Sequence, residues 1–204
     1  MKIICIGRNY KDHIREFNNE IPEEPVFFLK PDSSLLIKNR PFYYPYFSED
    51  VQYEAELVIR ISRVGKNIKK EFAGSYFNAI GIGIDFTARD LQRKCIQKGL
   101  PWEIAKGFDR SAVISEEFRS KDKFPNVNNI EFRLELNGKT VQKGNTSNMV
   151  FSFDTLISYI SKYMTLKTGD LIYTGTPSGV GPVKIGDRLK AYIGGDKYMD
   201  FRVK

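Results

Sequence analysis

Cysteine is scarce in this chain. Only Cys5 and Cys95 occur, far apart and in no metal-ligand spacing, which excludes a disulfide framework and fits a reducing compartment. Long apolar runs are missing too. Met1 to Ile6 starts one, but Gly7-Arg8-Asn9 ends it at once. That run is too short for a signal-peptide core, and no later stretch reaches bilayer length. The expectation is a cytoplasmic protein with no membrane partner. Internal repeats, low-complexity tracts and linkers are absent as well, and the 204 residues read as one domain, residues 1–204. The charge is not concentrated: 32 basic and 25 acidic side chains give a net +7, but acids lie between the lysine clusters. No helix-turn-helix, zinc-finger or RNA-binding aromatic signature accompanies them, so a solvated surface is expected and nucleic acid is not.

The remaining composition is that of a globular protein, 41% hydrophobic and 13% aromatic. Lys2 to Ile6 and Val26 to Leu29 read as strands, with Tyr10, His13, Ile14 and Phe17 at helical spacing between them. Val51 to Ile61 alternates: Tyr53, Ala55, Leu57, Ile59 and Ile61 face one side, and Gln52, Glu54, Glu56, Val58 and Arg60 the other. Ile80 to Ile84 is a glycine-interrupted strand running into Asp85. Thr87 to Lys98 reads as a helix with a Thr87/Asp90 capping box, stopped by Gly99 and Pro101. Asn137-Gly138 marks a hairpin between Ile130–Leu136 and Lys139–Gln142. A helix over Phe153–Tyr163 precedes short strands at Leu171–Thr174, Arg188–Ile193 and Tyr198–Val203. Many short strands with few helices predict an α+β, mainly β fold.

Glu54 and Glu56 lie on one strand face, roughly 6 to 7 Å apart. A solvent-facing polar side is the better explanation of them until Asp85 is added. A carboxylate ending a glycine-rich apolar strand needs a partner. Three carboxylates from two strands form a hard-oxygen site suited to Mg²⁺ or Mn²⁺, and ligand type leaves Ca²⁺ open. His13, the only histidine, faces Glu16 across one helical turn, an arrangement that serves a general base or a surface ion pair. The loop Thr174 to Pro182 carries hydroxyls and glycines after a strand. Its backbone N–H groups can bind an anion, although a tight turn accounts for it as well.

Gly7-Arg8-Asn9-Tyr10 with His13 and Glu16, Phe28-Leu29-Lys30-Pro31, Tyr53 to Leu57, Asp85 to Gln92, Gly99 to Trp102 and Ala105 to Asp109 together resemble the fumarylacetoacetate hydrolase family. Leu136-Asn137-Gly138, Gly169-Asp170 and Thr174 to Pro182 extend the match through the C-terminal half, and the acylpyruvate hydrolase and oxaloacetate decarboxylase branch is the most similar. The resemblance implies a β-roll with a few short helices, usually a homodimer, with Mg²⁺ held by Glu54, Glu56 and Asp85. It implies catalytic roles for His13, Glu16 and Lys106, with residues 8–20 forming a mobile lid. It also implies that Arg89, Gln92 and Thr176 meet a small 2-oxo acid. The expected reaction is cleavage of a C–C bond in acylpyruvate-type 2,4-dioxo acids, releasing pyruvate. Oxaloacetate decarboxylation and 2-hydroxyhepta-2,4-diene-1,7-dioate isomerisation are the alternatives. The rival outside enzymology is a basic binding module on the same scaffold.

Overall fold

The computed structural model describes residues 1–204 and is mainly β with few helices, as the strand pattern predicts. The largest sheet has the order Val26–Lys30, Ile3–Gly7, Leu171–Tyr173, Ala55–Ile61, Phe77–Asp85, Ala112–Ile114, Leu35–Leu36, and Arg119–Ser120 pairs with Phe77–Asp85 off this path. A four-stranded antiparallel sheet runs Lys139–Asn145, Glu131–Leu136, Arg188–Ile193, Asp196–Arg202. Three short strands, Gly181–Pro182, Val51–Tyr53 and Thr87–Ala88, make a third.

One hydrophobic core joins the two larger sheets to the helix Phe153–Tyr163, which buries Phe153, Leu156, Ile157 and Ile160 at helical spacing. Each such burial contributes roughly 1.5–3 kcal/mol before entropy is counted. Ser152 caps this helix by accepting from the Thr155 N–H. The large sheet is covered on its other face as well, by a cluster containing Ile3, Cys5, Val58, Leu171 and Tyr173. Burial on both faces explains why Ile3 to Ile6 is continuously apolar rather than alternating.

Two features at the centre of this sheet position the site. Glu56 pairs with Gly83 across the strands. A side chain at Gly83 would meet the Tyr173 ring and the Val113 carbonyl at 2.8 Å, so glycine permits the close packing that carries Asp85 into place. The run Val51 to Ile61 is not one strand: it breaks at Glu54, leaving Val51–Tyr53 and Ala55–Ile61 in different sheets. The break places Glu54 at a seam, and both Glu54 and Glu56 are buried rather than solvent-facing.

The Thr87/Asp90 capping box does not form. Thr87–Ala88 is a short strand against Val51 and Gln52, and the helix begins at Arg89. Asp90 instead accepts from the Ser48 hydroxyl at 2.7 Å and the Glu49 N–H at 3.2 Å. The tertiary pairing takes the backbone groups that a cap would have served. The helix does end at Gly99, whose φ of 62° is left-handed. The Asn137-Gly138 turn also has both residues left-handed, at 52° and 81°, as a two-residue hairpin requires.

Candidate active site

Glu54, Glu56 and Asp85 each offer a carboxylate oxygen, and these oxygens lie within 4.8 Å of one another. The Asp85 N–H donates to the Glu54 carbonyl at 2.8 Å, which locks the two strands at this point. Three buried carboxylates repel unless cations oppose them, and three do. Lys106 Nζ lies 2.8 Å from Glu54 and 3.0 Å from Asp85. Arg89 reaches Glu54 at 2.5 Å and donates to Gln92 Oε1 at 2.5 Å and Gln52 Oε1 at 2.9 Å. Lys30, to which the sequence reading gave no role, is 2.6 Å from Asp85 Oδ1 as an ion pair. Its ammonium also donates to the carbonyls of Phe86, Ser111 and Lys106 and to the Ser111 hydroxyl. With all six groups ionised, the cluster is formally neutral.

The individual groups differ sharply. Burial alone would raise Glu54, but Lys106 and Arg89 outweigh it and hold its carboxyl below the usual range. Glu56 goes the other way: burial, Asp85 and Glu54 push it well above that range, against the Gly175 N–H that donates to it at 2.7 Å. Burial disfavours a charged Lys106, yet Asp85 and Glu54 together keep its pKa above that of a free lysine. Lys106 is thus a fixed ammonium rather than a ready proton donor. The donor set is all hard oxygen, clustered and buried, and Glu54 reaches the wall of a cavity, so the residues fit a divalent cation.

Above the cluster is a cavity of about 250 Å³ lined by Arg8, His13, Phe17, Phe28 and Trp102 around Glu54, Arg89, Gln92 and Lys106. The helix Lys11–Glu16 brings in His13, whose Nδ1 is 3.1 Å from Glu16 Oε2, as the helical spacing predicts. The other Glu16 oxygen accepts from the Gly179 N–H at 3.0 Å. Ile14 and Tyr10 anchor the segment from below, and Phe17 lies 5.3 Å under the Arg89 guanidinium. In the glycine-rich loop, Thr176 is not among the residues lining this cavity. That residue is buried, and its hydroxyl accepts from Gln142 Nε2 at 2.8 Å. The loop instead works through backbone N–H groups, Gly175 to Glu56 and Gly179 to Glu16. Gln142, also missed in the sequence, ties this loop to the Ala55 N–H through its Oε1 at 2.9 Å.

The family model described as fumarylacetoacetate (FAA) hydrolase C-terminal matches residues 2–204. The chain belongs to this family. It is accordingly an enzyme of the metal-dependent hydrolase and lyase type. The mitochondrial oxaloacetate decarboxylase of Dictyostelium discoideum is 46% identical over 204 residues, covering 99% of this chain and 93% of that protein. The mitochondrial oxaloacetate tautomerase of Bos taurus is 42% identical over 202 residues, covering 99% and 91%. Among solved structures, a fumarylpyruvate hydrolase from Pseudomonas aeruginosa in complex with Mn²⁺ and pyruvate matches with a TM-score of 0.94 at 34% identity, covering 100% of this chain and 89% of that one. The β-roll expectation holds. The cytoplasmic expectation does not: it rested on cysteine usage and the short apolar start, and the Dictyostelium and Bos relatives are both named mitochondrial. No helix is long and apolar enough to cross a membrane.

Proposed function

We propose that this chain acts on oxaloacetate by forming and stabilising its enolate, with decarboxylation or keto–enol interconversion as the outcome. The observation that carries the reading is the triad of buried carboxylate oxygens within 4.8 Å, opposed by fixed cations at the end of a small cavity. Glu54, Glu56 and Asp85 would hold Mg²⁺, or Mn²⁺ as in the Pseudomonas structure. When bound, the ion supplies Lewis acidity toward the carboxylate and 2-oxo oxygens of the substrate.

The chain's own residues account for the rest. Lys106, kept as an ammonium, stabilises negative charge developing on the enolate oxygen. Arg89 is rigid because Glu54, Gln92 and Gln52 hold it, and with Gln92 it would orient the substrate. His13, whose Nδ1 faces Glu16, presents Nε2 as the base. Residues 8–20 would close over the bound acid as a lid and exclude water. The Gly179 contact to Glu16 marks where the lid seats on the glycine loop. Thr176 and its loop would meet the carboxylate end of the substrate, the hydroxyl proton being left free by the contact from Gln142. The reading carries one catalytic domain over residues 1–204 and a homodimer, for which the exposed Tyr43, Tyr46 and Phe47 offer apolar surface.

Hydrolysis of acylpyruvates is the second reading, favoured by the His13–Glu16 pair, since only hydrolysis needs an activated water. Relatives named for oxaloacetate at 42% and 46% identity weigh against it as the main activity. Steady-state turnover of oxaloacetate and of acetylpyruvate, each with Mg²⁺ and with a chelator, separates the two. The expected result is metal-dependent loss of oxaloacetate at the higher kcat/KM. Faster acetylpyruvate cleavage would reverse the order, and activity indifferent to the chelator would remove both.

A further inference from the structure

We propose that Arg8 binds a second, distal carboxylate of the substrate and thereby favours enolisation over loss of CO₂; this rests on the oxaloacetate reading above. The cavity is lined by three fixed cationic side chains and one histidine, and all but one are committed. Arg89 is held by Glu54 and Gln92, Lys106 by Glu54 and Asp85, and His13 by Glu16. Arg8 lines the same space, is half-buried, and its guanidinium has neither a hydrogen-bond acceptor nor an acidic partner in the chain. A partly desolvated guanidinium without a partner is poised for an anion from outside.

The backbone supports the assignment. Arg8 sits at φ 57°, in the left-handed region that a residue with a Cβ disfavours. Four of the seven non-glycine residues with positive φ are asparagine, the type that tolerates it, and Arg8 is the only one of the seven that lines this cavity. Its neighbours hold it there. Gly7 ends a strand paired on both sides within the sheet, and Asn9 is clamped by three hydrogen bonds, to the Thr174 carbonyl at 2.8 Å and to Phe151 at 2.8 and 3.1 Å. Strain so firmly over-determined at a cavity wall is the kind retained for a ligand.

Charge makes the same point. With Glu56 ionised, as ion binding requires, the carboxylate cluster and its three cations sum to zero. A divalent ion would be matched by an enolate bearing one carboxylate, and a further carboxylate has only Arg8 to meet it. The chemistry then follows from which bond breaks. In decarboxylation the C3–C4 pair moves into the enolate and neutral CO₂ leaves, so a guanidinium on that carboxylate stabilises the starting anion and not the product. Keto–enol exchange breaks C3–H instead: the proton passes to His13 Nε2 and on to the 2-oxo oxygen. The distal carboxylate keeps its charge throughout, and its pairing to Arg8 persists in the transition state.

The test uses Arg8→Asn, which suits the left-handed backbone and removes the charge, and Arg8→Lys, which keeps it. L-malate and L-lactate form a matched pair that differs by the distal carboxylate, and neither enolises. Calorimetry with Mg²⁺ should show malate binding at least about tenfold tighter than lactate to the parent protein. Arg8→Asn should bring that ratio near one, with oxalate affinity unchanged, and Arg8→Lys should keep part of it. With oxaloacetate, the ratio of C3 deuterium exchange to pyruvate release should fall about tenfold in Arg8→Asn. An Arg8→Asn protein that binds oxalate normally and keeps the parent malate-to-lactate ratio would overturn the proposal alone. A parent protein that binds no oxalate in the presence of Mg²⁺ would overturn the metal and 2-oxo acid reading together with it.

Discussion

Asp85, in the floor beneath the cavity-lining Lys106, and Glu16, at the rim beside the cavity-lining His13, are both carboxylates facing a nitrogen partner, yet their surroundings share little. Asp85 is 1% exposed, ends a central strand, and is pinned between Lys30 and Lys106. Glu16 is one-third exposed, ends a six-residue helix, and meets His13 and one backbone N–H. Water can replace any partner lost at the rim. At the floor nothing can, so a lost partner leaves a buried charge unmet. Floor residues therefore govern stability and ion binding together, and rim residues govern rate with little effect on stability.

Lys30→Met gives the largest effect. It strips Asp85 of one cation and three carbonyls of their donor, and should cost about 3–5 kcal/mol in the metal-free protein. Urea denaturation reads this, and Mg²⁺ should restore part of it by supplying positive charge. A loss under 1 kcal/mol would mean that the floor is wetter than its burial implies. His13→Ala supplies the contrast. Turnover should fall by about 10²–10⁴-fold, while the urea midpoint stays nearly unchanged. A comparable loss of stability would place the rim in the same cooperative unit as the floor.

Glu56→Gln sharpens the comparison within the floor itself. Metal affinity should fall by about 10–100-fold or more, yet the metal-free protein should become no less stable, because glutamine mimics the protonated acid that burial favours. The smallest effect is in pH. Because the Glu56 carboxyl lies above its unfolded value, its contribution to metal-free stability is complete below the ordinary carboxylate range. It is lost as pH rises through the raised value. Metal must take the ionised form, so affinity should rise with pH and binding should release protons. Calorimetry in two buffers of different ionisation enthalpy checks this, and equal apparent heats would refute it.

The sequence carried the strands, the Phe153–Tyr163 helix and the hairpin because each rests on local periodicity or turn chemistry. It carried the carboxylate triad because Glu-Ala-Glu in an apolar strand and Asp85 after a glycine-rich one are local anomalies. Lys30 was hidden. A lysine closing the run Val26 to Leu29 looks like a strand end, and only the partners across the sheet, Asp85 and Ser111, show it to be buried. The break at Glu54 was hidden for the same reason, since alternation continues unbroken while the chain changes sheets. The contact from Gln142 Nε2 to the Thr176 hydroxyl oxygen was hidden as well, because it joins residues 34 positions apart.

The most direct test is proton exchange at C3 of oxaloacetate, followed by NMR in D₂O while pyruvate is measured in the same sample. Enzyme-dependent deuterium incorporation should require Mg²⁺ or Mn²⁺ and, at an ion concentration that just saturates the parent protein, fall at least about tenfold in Glu56→Gln. Incorporation that persists at full rate with a chelator, or in Glu56→Gln, would contradict an ion held by Glu54, Glu56 and Asp85 as the centre of the chemistry.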